Sequence, residues 1–297
     1  MYDEDFWCSI AVQISQVSGE SFTVKDVQSI SGGCISLAYV IRDDHHCYFI
    51  KLNEAARHEM FVAEFQGLEE MAKTHTVRIP RPLCYGITNG SAWLVMEYIE
   101  TGAASGNSMA NFGRQLATMH QVEQPWFGWH IDNTIGSTRQ INSVLNDWPK
   151  FWCQQRLKFQ FDLAFENGFC GRLQKRSEML MELCPQIFEG RNIQPSLLHG
   201  DLWSGNFLFD REGRAVIFDP AVYYGDRETD LAMTELFGGY AAQFYKAYFE
   251  VYPVDEAYAL RKILYNLYHI LNHLNLFGEG YLMQAQQMID QLLAELR

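Results

Sequence analysis

The chain has 297 residues, of which 48% are hydrophobic and 20% charged, with a formal net charge of −13; this is a folded protein large enough for two lobes. An acidic surface repels phosphate backbones, so no nucleic-acid partner is expected. No apolar run is long enough to span a bilayer, and the opening MYDEDFW is acidic where a secretory leader is basic, so the expectation is a cytoplasmic protein with no membrane partner.

Residues 3–18 read as a helix, because Phe6, Ile10, Ile14 and Val17 recur at helical spacing and Gly19 is a stop signal. Segments of β type follow at 22–30, 34–42 and 47–52, the first two meeting at Gly32-Gly33 and the next two at the polar Asp43–His46 turn. Helix returns at 55–73, with Phe61, Phe65, Leu68 and Ala72 on one stripe. Strands at 82–88 and 91–99 flank Asn89-Gly90, the strongest short-range hairpin signal. Together these predict one antiparallel sheet packed on a helix.

The small, polar stretch TGAASG at 101–106 is the best boundary candidate and divides 1–101 from 102–297. Helices dominate beyond it, at 107–121, 147–166, 171–189, 228–250, 255–277 and 280–296. The exception is a small hairpin of 206–210 with 215–218. The predicted class is α+β. The seven cysteines are scattered, odd in number and lack a C-x-x-C pair, which argues against a disulfide framework and a zinc site.

The stretch Leu197–Met233 holds seven acidic and three basic residues among apolar runs. Carboxylates beside buried strands cost free energy unless a cation or a substrate proton needs them. His199-Gly200-Asp201 is followed by Asn206, then by the hairpin, then by Asp219 at the end of AVIFD. Asn206 and Asp219 offer hard oxygen ligands suited to Mg²⁺. Asp201 is left to accept the proton of an attacking hydroxyl. The H-x-D-x-x-x-x-N spacing is that of a kinase catalytic loop, and the set follows the logic of phosphoryl transfer from ATP.

The other parts of such a site occur in the required order. Lys51 lies on the third strand, where it would meet the α/β-phosphates, and Glu64 lies on the inward edge of the next helix to pair with it. Ser31, Gly32 and Gly33 form a turn that allows backbone to approach phosphates. Met96, Glu97, Tyr98 and Ile99 stand where a hinge for adenine belongs. Alone, Lys51 and Glu64 would be a solvated strand end and a surface helix charge; the order of all the parts decides otherwise.

The segments SGGCIS (31–36), FIK (49–51), EFQGL (64–68), FGWHIDNTIGSTRQIN (127–142), Trp148 with FW (151–152), HGDLWSGN (199–206) and FDPAVYYGDRETDLAM (218–233) carry a resemblance. On them the chain resembles the fructosamine/ketosamine kinase family, a branch of the aminoglycoside-phosphotransferase-like kinases, nearly end to end. The resemblance implies a two-lobed protein-kinase-like α+β fold. Its N-lobe would be an antiparallel sheet plus a helix, its C-lobe mainly helical, and ATP would lie in the cleft. It implies phosphorylation of a ketosamine, a fructosamine or ribulosamine, at O3, as repair of sugar-damaged small amines or glycated lysines.

The resemblance also favours Trp203 as a ring that stacks on the sugar over a plug at the lobe interface, and Asp230 as a brace of the catalytic loop. It places a cysteine at Cys34 that can form an intermolecular disulfide, hence a redox-linked homodimer; the glycine-rich turn and Lys51 would favour its thiolate. FDP in place of DFG, the lack of a G-x-G-x-x-G loop and the lack of an A-P-E segment depart from protein kinases and fit a small-molecule acceptor. Two alternatives stay open: a kinase of the same fold acting on an aminoglycoside, choline or a sugar, and a catalytically silent kinase-like binding module. Lys51, Asp201, Asn206 and Asp219 count against the second. His120 reads as a hydrogen-bonding residue. His269 and His273 read as a helix face and not a metal pair, since no third ligand is evident.

Overall fold

The computed structural model describes residues 2–30 and 35–296. The expected phosphate-turn residues Ser31, Gly32, Gly33 and Cys34 lie outside the described residues. The chain divides into two compact units, one of Met1–Ser108 with Leu208–Asp219 and one of Met109–Phe207 with Pro220–Arg297.

In the first unit, α1 (Glu4–Ser18) begins where the Asp3 carboxylate accepts from Phe6 N and ends at Gly19 with φ 76°. Its apolar stripe, Phe6, Ile10 and Ile14, packs with Ile41, Ile50, Leu52, Trp93 and Val95. These come from a five-stranded sheet of β1 (Asp26–Ile30), β2 (Leu37–Arg42), β3 (Cys47–Glu54), β4 (Pro82–Thr88) and β5 (Ser91–Glu97), ordered β1-β2-β3-β5-β4 with all neighbours antiparallel. Asn89 and Gly90 both take positive φ, 48° and 79°, as the tight hairpin between β4 and β5 needs. Alternation along β3 buries Tyr48, Ile50 and Leu52 and turns Lys51 to the other face, toward α2 (His58–Ala72).

The hairpin of Phe207–Phe209 with Ala215–Ile217 docks on this unit. Ile217 N donates to Arg78 O, and Gly102 N donates to Phe209 O at 2.7 Å. A Cβ on Gly102 would lie 2.3 Å from Asp210 O, so the small residues of TGAASG serve a close backbone approach.

The second unit is built mainly of helices: α3 (Ser108–Met119), α4 (Trp148–Phe151), α5 (Lys158–Glu166), α6 (Arg172–Leu183), α7 (Glu228–Leu236), α8 (Ala242–Val251), α9 (Tyr258–Phe277) and α10 (Leu282–Glu295). The long α9 is buried on most sides and packs on α7 and α10. The sequence predicts single helices over 147–166 and 228–250; both are interrupted. The first contains a π-helical turn, Trp152–Leu157. The second breaks after Leu236 because Gly238 and Gly239 adopt φ 94° and 73°. Two strand pairs are additional: Asn133–Ile135 with Thr138–Gln140, and Ser196–Leu198 with Tyr223–Gly225. At three residues each they are too short to give a period-2 signal.

Candidate active site

The first unit brings Lys51, Glu64 and Asp219 together. Lys51 Nζ donates to Glu64 Oε1 at 2.6 Å and also pairs with Asp219 Oδ1. The Lys51 and Glu64 side chains are 12% and 10% exposed, whereas Asp219 keeps 41%. Burial alone would lower the Lys51 pKa, but the charges of Asp219 and Glu64 outweigh it and raise it. Burial raises the Glu64 carboxyl; Lys51 pulls it down, Asp219 pushes it up, and the result is about 6. The cluster sets two carboxyl groups against one ammonium, and Asp219 is its most exposed member. Asp219 also has φ 57°, a left-handed conformation that costs a non-glycine residue about 1 kcal/mol.

Of the hinge candidates, Met96 and Glu97 belong to β5, while Tyr98 and Ile99 lie beyond its end, two residues earlier than the sequence suggests. The Glu97 carboxylate accepts from Arg78 Nη2 at 2.7 Å and Arg81 N at 3.2 Å. Tyr98 carries the Arg42 guanidinium 5.7 Å above its ring. The Glu97 side chain is thus occupied in holding the strand end.

The second unit brings Asp201 and Asn206 together. The strand Ser196–Leu198 leads into a loop gripped from behind by Asp230, in the first turn of α7 and 1% exposed. His199 N donates to Asp230 Oδ2 and Gly200 N to Oδ1, both at 2.8 Å. His120 Nε2 lies 3.1 Å from Oδ2, and its Nδ1 lies 2.8 Å from Tyr248 Oη, which also accepts from Arg227 Nη1. Burial lowers the His120 pKa against the pull of Asp230, so the ring is neutral. Burial works to raise Asp230, but His120, His199 and the Gly200 N–H hold it below the usual carboxylate range. Nε2–H therefore donates to an ionised Asp230, and Nδ1 accepts from Tyr248. His120 is a hydrogen-bonding residue, and Asp230 braces the loop.

Gly200 is required here. Its φ is 82°, and a Cβ would lie 2.1 Å from Ala221 O. Asn206 Nδ2 donates to Asp201 O at 2.9 Å and to Asp201 Oδ2 at 3.1 Å, which leaves the amide oxygen as the side chain's remaining polar atom. That oxygen, and in the first unit the Asp219 carboxylate, are each hard donors of the kind a divalent cation takes. Trp203 is half-buried, edge-on to Phe237 with centroids 5.9 Å apart, and Phe237 in turn meets His273 at 5.1 Å. A Cβ on Gly205 would lie 2.4 Å from the Trp203 indole.

His269 is buried, and burial holds its pKa near 3. Among the described residues no group of three or more His, Cys, Asp or Glu could hold a metal. The Tyr248 and Arg227 support of His120 and the Phe237 contact of Trp203 carry no sequence signal, because their partners lie far away in the chain and their residue types are ordinary on a helix.

A Lys–Glu pair under an antiparallel sheet, an H-x-D-x-x-x-x-N loop braced by a helix aspartate, and a mainly helical second unit define the protein-kinase-like α+β fold, and the chain is an ATP-dependent phosphotransferase of that class. More narrowly, the chain belongs to the fructosamine kinase family, whose model matches residues 6–295. It is 47% identical to a protein of Synechocystis sp. named as a probable ketoamine kinase, over 97% of each chain. It is 41% identical to the chloroplastic protein-ribulosamine 3-kinase of Arabidopsis thaliana, over 94% of this chain and 86% of that one. A crystal structure from Haemophilus somnus, named as a fructosamine-3-kinase candidate, has a TM-score of 0.90 at 28% identity and covers 97% of this chain and 98% of its own.

Proposed function

We propose that this enzyme transfers the γ-phosphoryl group of ATP to the C3 hydroxyl of a ketosamine, a fructosamine or ribulosamine borne by a small amine or a glycated lysine. The names of the ketoamine and ribulosamine kinase relatives support the acceptor. The observation that carries the reading is the loop on which Asp201 and Asn206 are held together by the Asp230 brace.

In this reading Asp201 accepts the hydroxyl proton as the oxygen attacks phosphorus. Lys51, held by Glu64, contacts the α/β-phosphates; Ser31, Gly32 and Gly33 cover them; Met96, Glu97, Tyr98 and Ile99 serve adenine. Residues 1–101 then act on the nucleotide and 102–297 in catalysis and acceptor binding. The donor chemistry of Asn206 and Asp219 fits Mg²⁺, which when bound supplies charge neutralisation at the phosphates. Trp203 stacks on the sugar face. Phosphate at C3, two carbons from the amine-bearing C1, is lost readily once the C2 ketone enolises, and hydrolysis then frees the amine.

A redox-linked homodimer through Cys34 belongs to the same proposal, as does a cytoplasmic location, which the need for ATP supports. Among the described residues no helix is long and apolar enough to cross a membrane.

The test is Asp201→Asn. It should lower kcat by about 10²-fold or more and leave ATP affinity by calorimetry nearly unchanged. Collapse of ATP binding would make Asp201 a nucleotide-binding residue and remove the base from the scheme.

A further inference from the structure

Arg156 lies in the π-helical turn and is fully buried. A buried cation is costly unless paired, yet among the described residues its guanidinium makes no ion pair. It is stacked over Phe151 at 4.7 Å and Tyr223 at 4.2 Å, with Tyr268 at 5.9 Å. Its hydrogen bonds go to neutral oxygens, Nη1 to Ile141 O and Nη2 to Asn142 Oδ1 at 2.8 Å.

The second of these bonds fixes the direction of a chain of amides. Because Asn142 Oδ1 accepts from Arg156, Asn142 Nδ2 must donate, and it does so to Asn133 Oδ1 at 2.9 Å and to Ile131 O at 3.1 Å. Asn133 Nδ2 in turn donates to Val222 O at 2.8 Å. Gln140 Nε2 donates to the same Asn133 Oδ1 at 2.8 Å and to Ala221 O at 3.0 Å, while Gln140 Oε1 accepts from Tyr268 Oη. All these side chains are buried. The relay ends on the Ala221–Val222 backbone, and that backbone is the other wall of the catalytic loop. Ala221 N donates to His199 O at 2.8 Å, and Ala221 O lies where a Gly200 Cβ would be.

We propose that Arg156 is a positioning residue for the catalytic loop. It anchors the first amide of the Asn142–Asn133–Gln140 relay, whose other ends are the accepting carbonyls of Ile131, Ala221 and Val222; the relay presses Ala221–Val222 against His199-Gly200 and so holds Asp201 in place. The inference rests on the reading of Asp201 as the acceptor of the substrate proton. A cation suits the task because guanidinium can only donate, while the Ile131 carbonyl at the same amide can only accept, so Asn142 is held in one orientation from both sides.

Asn142→Asp separates this role from simple packing. The carboxylate still accepts from Arg156 and gives it a counter-charge, but it cannot donate to Asn133 Oδ1 or Ile131 O. The gained counter-charge and the lost donations oppose each other, so the melting temperature should stay within about 5 °C, while kcat with a ketosamine falls about tenfold or more and the KM for ATP stays within about twofold. Asn133→Asp, which keeps both accepted bonds and loses only the donation to Val222, should behave alike and carries the test if the first variant does not fold. Wild-type kcat in a folded variant overturns the proposal.

A cycle with Asp201→Asn locates the effect. If the relay acts through Asp201, Asn142→Asp should change the residual rate of Asp201→Asn by less than about twofold. An equal loss in both backgrounds overturns the proposal and leaves the base reading intact. A wild-type rate in Asp201→Asn alone removes the base reading itself.

Discussion

Asp230→Asn perturbs the loop that carries Asp201 and Asn206 by an exchange that keeps the size of the side chain. The carboxylate receives three donors, His199 N, Gly200 N and His120 Nε2. An amide offers one oxygen and one NH₂ in the same space. With the oxygen toward Gly200 N, the NH₂ faces His199 N and His120 Nε2. The neutral His120 can adapt by moving its proton to Nδ1 and donating it to Tyr248 Oη. His199 N cannot adapt and loses the carboxylate oxygen to which it donates. That costs about 1–3 kcal/mol, and reducing the Gly200 bond from charge-assisted to neutral costs about 1 kcal/mol more. Relief of the buried charge offsets a part, so the expected loss is about 2–4 kcal/mol in urea unfolding. The loop should also lose its register: kcat should fall by about 10²-fold with ATP affinity nearly unchanged. A variant that loses less than about 0.5 kcal/mol and keeps wild-type kcat would refute the idea that Asp230 holds the loop.

Asp219→Asn removes the more exposed carboxyl group of the Lys51 cluster. It should weaken Mg²⁺ binding and nearly abolish transfer; near-normal turnover at ordinary magnesium would take Asp219 out of the site. Trp203→Ala should raise the KM for a ketosamine about tenfold, or ~1.4 kcal/mol, and leave the KM for ATP alone; wild-type ketosamine kinetics would reduce Trp203 to packing. The Glu64 carboxyl near 6 predicts that kcat/KM for ATP falls as pH drops below about 6, because the protonated acid no longer holds Lys51. For stability the sign is opposite. The folded state binds this proton more tightly than the unfolded chain, so the ionised Glu64 costs stability as pH rises from about 4.5 to about 6. Glu64→Gln should flatten both limbs, and an unaltered acid limb of kcat/KM would assign it to another group.

The parts of the proposed site that are local in sequence can be picked out there. Lys51 follows from the alternation of β3, Asp201 and Asn206 from their spacing, and Asp219 from its place after an apolar strand. Asn89-Gly90 announced its hairpin through residues that tolerate positive φ. What could not be read was the support behind these groups. His120 and Tyr248, like Gln140 and Tyr268, are 128 residues apart. Their types are as common in packed helices as in relays, so only the fold reveals the pairing. Arg156 looks like one more basic position on an amphipathic helix; its burial depends on a π-helical turn that has no compositional mark. Gly238-Gly239 could have signalled the break in the 228–250 helix, but the apolar periodicity on either side masked it.

The central claim is the acceptor, and ³¹P NMR of the purified protein with ATP, Mg²⁺ and a fructosamine or ribulosamine of lysine tests it most directly. The spectrum should show ADP together with a phosphomonoester on C3 of the sugar, formed only when the ketosamine is present and lost in Asp201→Asn. Ready phosphorylation of kanamycin, choline or a free sugar with no phosphorylation of either ketosamine would contradict it.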